Sequence, residues 1–226
     1  MSRTLPEQLF CLASDAPDRE ALRLITPGCP DVALSRAGFF RAAGHVAGTL
    51  ATAGVQPRDL VIMVQRDALA LTASFFGAAL LGAIPSIMPF QTEKLHPDRY
   101  RASMAALISL SHPRVLLTEP DLYDEVCALM PESTAGELPQ VMAVRSEDLL
   151  AAEQPLALDR TFDPEAVALL QHSSGTTGLQ KGVALAHRAI FEQLERYGRA
   201  VGFSENDVVV SWLPLYHDMG LIAGFL

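Results

Sequence analysis

The segment from Ala68 to Phe90 carries no charge and is long enough to cross a bilayer. A chain with such a segment either inserts it in lipid or builds a core around it. Pro85 and Pro89 interrupt the run, and Gly77 and Gly82 loosen it. Its front half, Leu69 to Leu81, is rich in Ala and Phe and fits a core helix. Its back half, Ile84 to Met88, is bracketed by prolines and fits a buried strand. The segment therefore belongs inside a water-soluble α/β fold.

The flanking sequence continues that alternation. Leu5 to Leu12 predicts a short opening helix. Ser35 suits a helix N-cap, because its hydroxyl accepts an orphan backbone N–H. Phe39, Ala43, Val46 and Leu50 then recur at helical spacing, and Gly54 stands where a helix stops. Leu60 to Val64 is a short apolar run, the pattern of a parallel strand buried on both faces. Pro97 to Leu110 predicts a helix with Tyr100, Met104, Leu107 and Ile108 on one face. Val115 to Thr118 and Val141 to Val144 read as strands, with a helix from Pro120 to Met130 between them. Residues 131–138 and 154–163 read as connectors. The apolar run Ala166 to Leu170 reads as a strand of the same sheet leading into residues 173–182; further on, Val183 to Ala186 and Val208 to Leu213 read as strands, and His187 to Ala200 as a helix. Trp212 is expected in the core, and Gly220 to Leu226 begins an apolar helix. Strands and helices alternating in this way imply a mostly parallel, doubly wound sheet with helices on both faces.

The 226 residues suffice for one large domain or two small ones, and a subdomain boundary is expected near 150–165. A net charge of −9 argues against nucleic-acid binding through a broad basic surface. Cys11, Cys29 and Cys127 are odd in number and lack Cys-x-x-Cys spacing, which fits buried or free thiols in a reducing compartment, not a disulfide frame or zinc site. Residues Met1 to Glu20 lack a signal-peptide core. A cytoplasmic protein without an integral membrane segment is expected.

Chemistry concentrates in Ser173-Ser174-Gly175-Thr176-Thr177-Gly178-Leu179-Gln180-Lys181-Gly182. Glycines let a backbone turn sharply and aim consecutive N–H groups at an anion. Ser and Thr hydroxyls add donors, and a lysine adds a point charge. The combination suits a polyphosphate. It is not a Walker loop, which needs glycine directly before the lysine and Ser or Thr directly after it; here the neighbours are Gln180 and Gly182. A solvated linker with a surface lysine is the competing reading of the composition alone.

The order Ser-Gly-Thr-Thr-Gly-x-x-Lys-Gly resembles the phosphate-loop signature of the adenylate-forming superfamily. That group includes acyl-CoA synthetases, fatty acyl-AMP ligases and the adenylation domains of peptide synthetases. A second signature follows, Trp212-Leu213-Pro214-Leu215-Tyr216-His217-Asp218-Met219-Gly220-Leu221. Its Tyr-His-Asp-Met-Gly-Leu wording is most similar to fatty acyl-AMP ligases and long-chain acyl-CoA synthetases. The resemblance runs from about Leu5 onward and implies the N-terminal part of that family's large domain. Its adenine- and ribose-contacting segments, its acidic metal ligand and its small C-terminal domain with the adenylating lysine would then lie beyond Leu226. The polypeptide alone is accordingly expected to be inactive.

The resemblance implies activation of a carboxylic acid, fatty by the motif wording, to an acyl-adenylate at the expense of ATP with Mg2+. Transfer to a thiol of coenzyme A or of a carrier protein's phosphopantetheine follows. Ser173, Ser174, Gly175, Thr176, Thr177, Gly178 and Lys181 would hold the phosphates, and Lys181 would neutralise the leaving pyrophosphate. His217 would stand beside the acyl group, with Tyr216, Asp218 and Gly220 framing it. A packed histidine satisfied by backbone competes for His217, and a plain helix cap competes for Asp218. The family usually has proline where Gln180 stands and an aromatic where His172 stands. His45, His96, His112 and His187 show no metal-like spacing and read as structural. A non-catalytic nucleotide-binding or regulatory module derived from the family is the alternative, and a structural interaction domain with a degenerate loop is a third reading.

Overall fold

The computed structural model describes residues 3–93, 96–130, 138–153, 161–172 and 182–226. Helix α1 (Leu5–Asp15) opens the chain, with Thr4 Oγ1 accepting from the Glu7 amide at its start. Strands β1 (Glu20–Leu24) and β2 (Val32–Ser35) form an antiparallel pair. Ser35 ends β2 and caps α2 (Arg36–Thr52), its Oγ 3.1 Å from the Gly38 amide. Beyond α2 lie β3 (Leu60–Met63), α3 (Ala68–Leu80), β4 (Ile84–Ile87), α4 (Pro97–Ser111) and β5 (Val115–Thr118). A 3-10 turn at Pro120–Leu122 leads into the short α5 (Tyr123–Cys127). Then come β6 (Gln140–Ala143), α6 (Ser146–Leu150), β7 (Val167–His172), β8 (Gly182–Ala186) and α7 (His187–Val201).

Four of these strands form a parallel sheet in the order β4-β3-β5-β6. Alternate residues of β3 explain why the sheet needs two layers of helix. Val61 and Met63 join a core with α1, α2 and α3, whereas Ile62 joins one with Tyr100, Met104, Leu107 and Ile108 of α4. The charge-free segment is thus absorbed as α3 and β4, with α3 buried along its length. No helix among the described residues is long and apolar enough to cross a membrane. Close packing of α3 on α2 depends on Gly77, where a Cβ would lie 2.7 Å from Val46 Cβ and 2.9 Å from the Ala43 carbonyl oxygen.

The chain crosses from one side of β3 to the other between β4 and β5, so the carboxyl ends of β3 and β5 flank the switch point where doubly wound sheets commonly bind ligands. This chain fills that crevice itself. The Glu119 carboxylate accepts from the amides of Arg66 (2.9 Å) and Asp67 (2.8 Å) and from Arg66 Nε (3.1 Å). Asp67 caps α3 through the Ala70 amide and also accepts from Ser146 Oγ at 2.7 Å. The carboxylate occupies the position where a doubly wound sheet often holds a ligand anion.

Several expectations are corrected. Val208 to Leu213 is not a strand. Among the described residues no strand pairs with it, and a strand exists only through such pairing. Trp212 is consequently 90% exposed, not core. The helix expected from Pro120 to Met130 is confined to the 3-10 turn and α5. The apolar helix expected from Gly220 is a single wide turn, Met219–Ala223, whose Leu221 is buried. The strand before the loop at 173–182 does not belong to the parallel sheet: β7 pairs antiparallel with β8. Connectors 131–138 and 154–163, and with the second the boundary near 150–165, fall largely outside the described residues. The three cysteines are free.

His187, at the start of α7, ties the two ends of the fold together. Its Nδ1 accepts from the Leu5 amide at 3.2 Å across 182 residues of sequence. Burial pushes its pKa down to about 4, against weaker upward pulls from Glu7 and Asp163. Between its ordinary value near 6.5 and about 4 the unfolded chain therefore binds a proton that the folded chain does not, and stability falls as pH falls through that window. The expected loss is about 2 kcal/mol, allowing for solvent screening. Urea unfolding at pH 7 and pH 4.5 checks it: His187→Asn, whose Oδ1 can accept from Leu5, is expected to lose that part of the slope. An equally steep slope in the variant contradicts the assignment.

Candidate active site

The residues expected to hold phosphates, Ser173, Ser174, Gly175, Thr176, Thr177, Gly178 and Lys181, with Gln180, lie outside the described residues. Their two ends do not. His172 closes β7 and stands directly opposite Gly182, the first residue of β8, in the antiparallel ladder. Residues 173–181 therefore connect two adjacent paired strands, and the ladder fixes both stems.

The two last residues of β7 carry the contacts that position this stem. His172 Nδ1 lies 3.0 Å from the Oγ of Ser86, on β4, and β7 packs alongside that strand. Ser86 is 1% exposed, so a hydroxyl placed among buried apolar neighbours finds its partner in this ring. Burial lowers the His172 pKa and favours the neutral imidazole. Gln171 Nε2 donates to the carbonyl oxygen of Tyr216 at 2.8 Å. That bond reaches the second motif.

The second motif folds as a tight turn. The His217 amide donates to the Pro214 carbonyl at 3.1 Å, and the His217 carbonyl accepts from the Leu221 amide at 2.9 Å. Gly220 is required here, because a Cβ on it would collide with the Pro214 carbonyl. Tyr216 is half-buried, and its ring centroid lies 4.9 Å from that of His217 at 56°. His217 and Asp218 are exposed. Asp218 Oδ1 accepts from the Met219 amide at 2.9 Å, which caps the following turn. The imidazole of His217 thus projects from a turn that is anchored at its base to the strand leading into the loop.

Ser86 and Gln171 escaped the sequence reading. A polar side chain inside each apolar run, Ile84–Met88 and Val167–Leu170 with Gln171 at its end, was the available signal. Among the described residues no group of three or more His, Cys, Asp or Glu is placed to hold a metal ion.

Residues 12–226 match the family of AMP-binding enzymes. The chain belongs to that family. Among curated AMP-binding relatives, it is 30% identical over 172 residues to 4-hydroxyphenylalkanoate adenylyltransferase of Mycobacterium tuberculosis, covering 74% of this chain and 27% of that protein. It is 31% identical over 229 residues to 4-coumarate–CoA ligase 3 of Oryza sativa, covering 97% of this chain and 39% of the ligase. AMP-binding structures share the fold. A fatty acyl-adenylate ligase of L. pneumophila, solved with acyl adenylate and pyrophosphate, superposes with a TM-score of 0.78 at 22% identity, covering 98% of this chain and 37% of that one. The McyG A-PCP structure, complexed with phenylalanyl-adenylate, gives 0.83 at 22% identity over 99% and 34% of the two chains. The chain spans between 27% and 41% of the length of the curated AMP-binding relatives it matches.

Proposed function

We propose that the protein carrying this chain activates a carboxylic acid with ATP. A carboxylate oxygen attacks the α-phosphorus, the bond to the β-phosphate oxygen breaks, and acyl-adenylate and pyrophosphate result. A thiol of coenzyme A or of a carrier protein then attacks the acyl carbonyl and expels AMP. Catalysis of this kind rests on positioning and on stabilising charge as it develops. In this reading the loop amides and hydroxyls of Ser173, Ser174, Gly175, Thr176, Thr177 and Gly178 hold the β- and γ-phosphates. Lys181 offsets the charge gathering on pyrophosphate. His217 stands beside the acid, framed by Tyr216, Asp218 and Gly220. Mg2+ accompanies the nucleotide, but the described residues offer it no ligand cluster and no step is assigned to it.

The observation that carries this reading is the Gln171–Tyr216 bond, which joins the stem of the phosphate loop to the turn bearing His217. The motif wording favours a fatty acid. The apolar residues after the motif add little to that, since Ile222, Phe225 and Leu226 pack against the core and Phe225 meets the ring of Phe76 at 6.0 Å. Both curated relatives described above are named for hydroxyaryl acids, so the test must offer both classes. Acid-dependent ATP–pyrophosphate exchange by the full-length gene product is expected, strongest with a fatty acid. Exchange with hydroxyaryl acids alone reassigns the substrate, and no exchange with any acid rejects the enzymatic reading. The 226-residue polypeptide by itself is expected to exchange negligibly.

A further inference from the structure

Resting on that reading, we propose that Gln171 is a positioning residue for the acid-binding half of the site. It is the only described side chain of β7 that reaches the His217 turn with a hydrogen bond. The geometry gives it two separable relations. Its backbone lies in the β7–β8 ladder, opposite Val183, and this ladder holds the phosphate loop whatever side chain position 171 carries. Its side-chain amide, half-buried, spends one N–H on the Tyr216 carbonyl at 2.8 Å.

The turn it grips is also seated by packing, since Leu221 is buried and Leu215 and Tyr216 lie against the core. Among the described residues, the other hydrogen bonds at Tyr216 and His217 are internal to the motif, from the His217 amide to Pro214 and from the Leu221 amide to His217. Those bonds keep the turn's shape and packing seats it on the core, but none of those hydrogen bonds relates it to the strand leading into the loop. Gln171 supplies that relation across 45 residues of sequence. Gln also suits the task chemically: it is a neutral donor that keeps its proton at every pH of interest, and it is long enough to leave the strand. Losing the donor leaves the carbonyl short of a partner and frees the turn, so the acid is held less well while the phosphates are held as before.

The test is steady-state pyrophosphate exchange by the full-length gene product, with acid and ATP varied separately. Gln171→Met keeps the length of the side chain and removes the donor. Gln171→Glu keeps its shape and polarity and places an acceptor against an acceptor. Both variants are expected to raise KM for the acid about tenfold and to leave KM for ATP within about twofold. An acid KM that stays put, or acid and ATP KM rising together, overturns the proposal. Lys181→Ala run in parallel separates it from the underlying reading. If Lys181→Ala impairs ATP use while Gln171→Met leaves acid saturation alone, the clamp alone fails. If Lys181→Ala changes nothing, the assignment of the phosphate loop fails with it.

Discussion

Replacing Lys181 and Thr176 together by alanine should lower acid-dependent pyrophosphate exchange of the full-length protein about a thousandfold. As the α–β bond breaks, negative charge builds on the departing pyrophosphate. A fixed ammonium and fixed hydroxyl donors stabilise that charge more than they stabilise ATP already bound, so their loss falls mainly on kcat. Lys181→Ala alone should cost about a hundredfold, since removing one oxyanion donor typically costs a hundred- to a thousandfold. The native fold should be untouched, because the ladder between β7 and β8 holds the stem on either side. An unchanged thermal midpoint together with the lost rate supports the assignment. Retained exchange in the double variant contradicts it and returns the loop to a solvated linker.

The largest effect on stability is expected at Glu119. Its carboxylate is nearly buried and accepts three N–H groups, two of them backbone amides at the entrance to α3. Glu119→Ala leaves those amides without their acceptor and removes the Arg66 pairing. The exposed half of that ion pair adds little, because Arg66 is largely in solvent. Orphaned buried donors cost about 1–3 kcal/mol each, and partial access for water trims the total to about 3 kcal/mol. Glu119→Gln retains an accepting oxygen and should cost about half as much. Urea unfolding of the three proteins orders them wild type, Gln, Ala. A Glu119→Ala variant as stable as wild type removes the explanation given for the closed crevice between β3 and β5.

Physical pattern explains which features could be read in advance. The face of α4 was legible because Tyr100, Met104, Leu107 and Ile108 repeat at helical spacing, and those four are the helix's buried residues. The strands β3, β4 and β5 were legible as short apolar runs because both of their faces are covered. Strand partners were not legible. Ala166 to Leu170 looks like one more parallel strand, yet β7 turns back on β8, because periodicity reports burial and not the direction of the neighbour. Val208–Leu213 has strand composition without a described partner, so Val208, Val210 and Trp212 stand in solvent at 85%, 78% and 90% exposure. The hairpin of β1 and β2 and the short α6 went unread: their patterns are too brief to stand out.

The candidate site divides in the same way. The expectation for the loop rests on its local glycines and hydroxyls, and those residues lie outside the described ones, whereas the requirement for Gly220 beneath the Pro214 carbonyl emerges only once the turn is seen. Ser86 and Gln171 act through partners 86 and 45 residues away, and no local pattern encodes such contacts.

Everything turns on one ligand lying between the loop at 173–181 and the turn at 216–218. Nuclear magnetic resonance of the labelled full-length protein, titrated with a non-hydrolysable mimic of a fatty acyl-adenylate and then with pyrophosphate, addresses this directly. The account predicts that the mimic shifts the His217 ring and the turn amides, and that pyrophosphate then shifts the amides of Gly175 to Lys181 at the occupied site. Saturable binding that leaves either group of signals unmoved contradicts it.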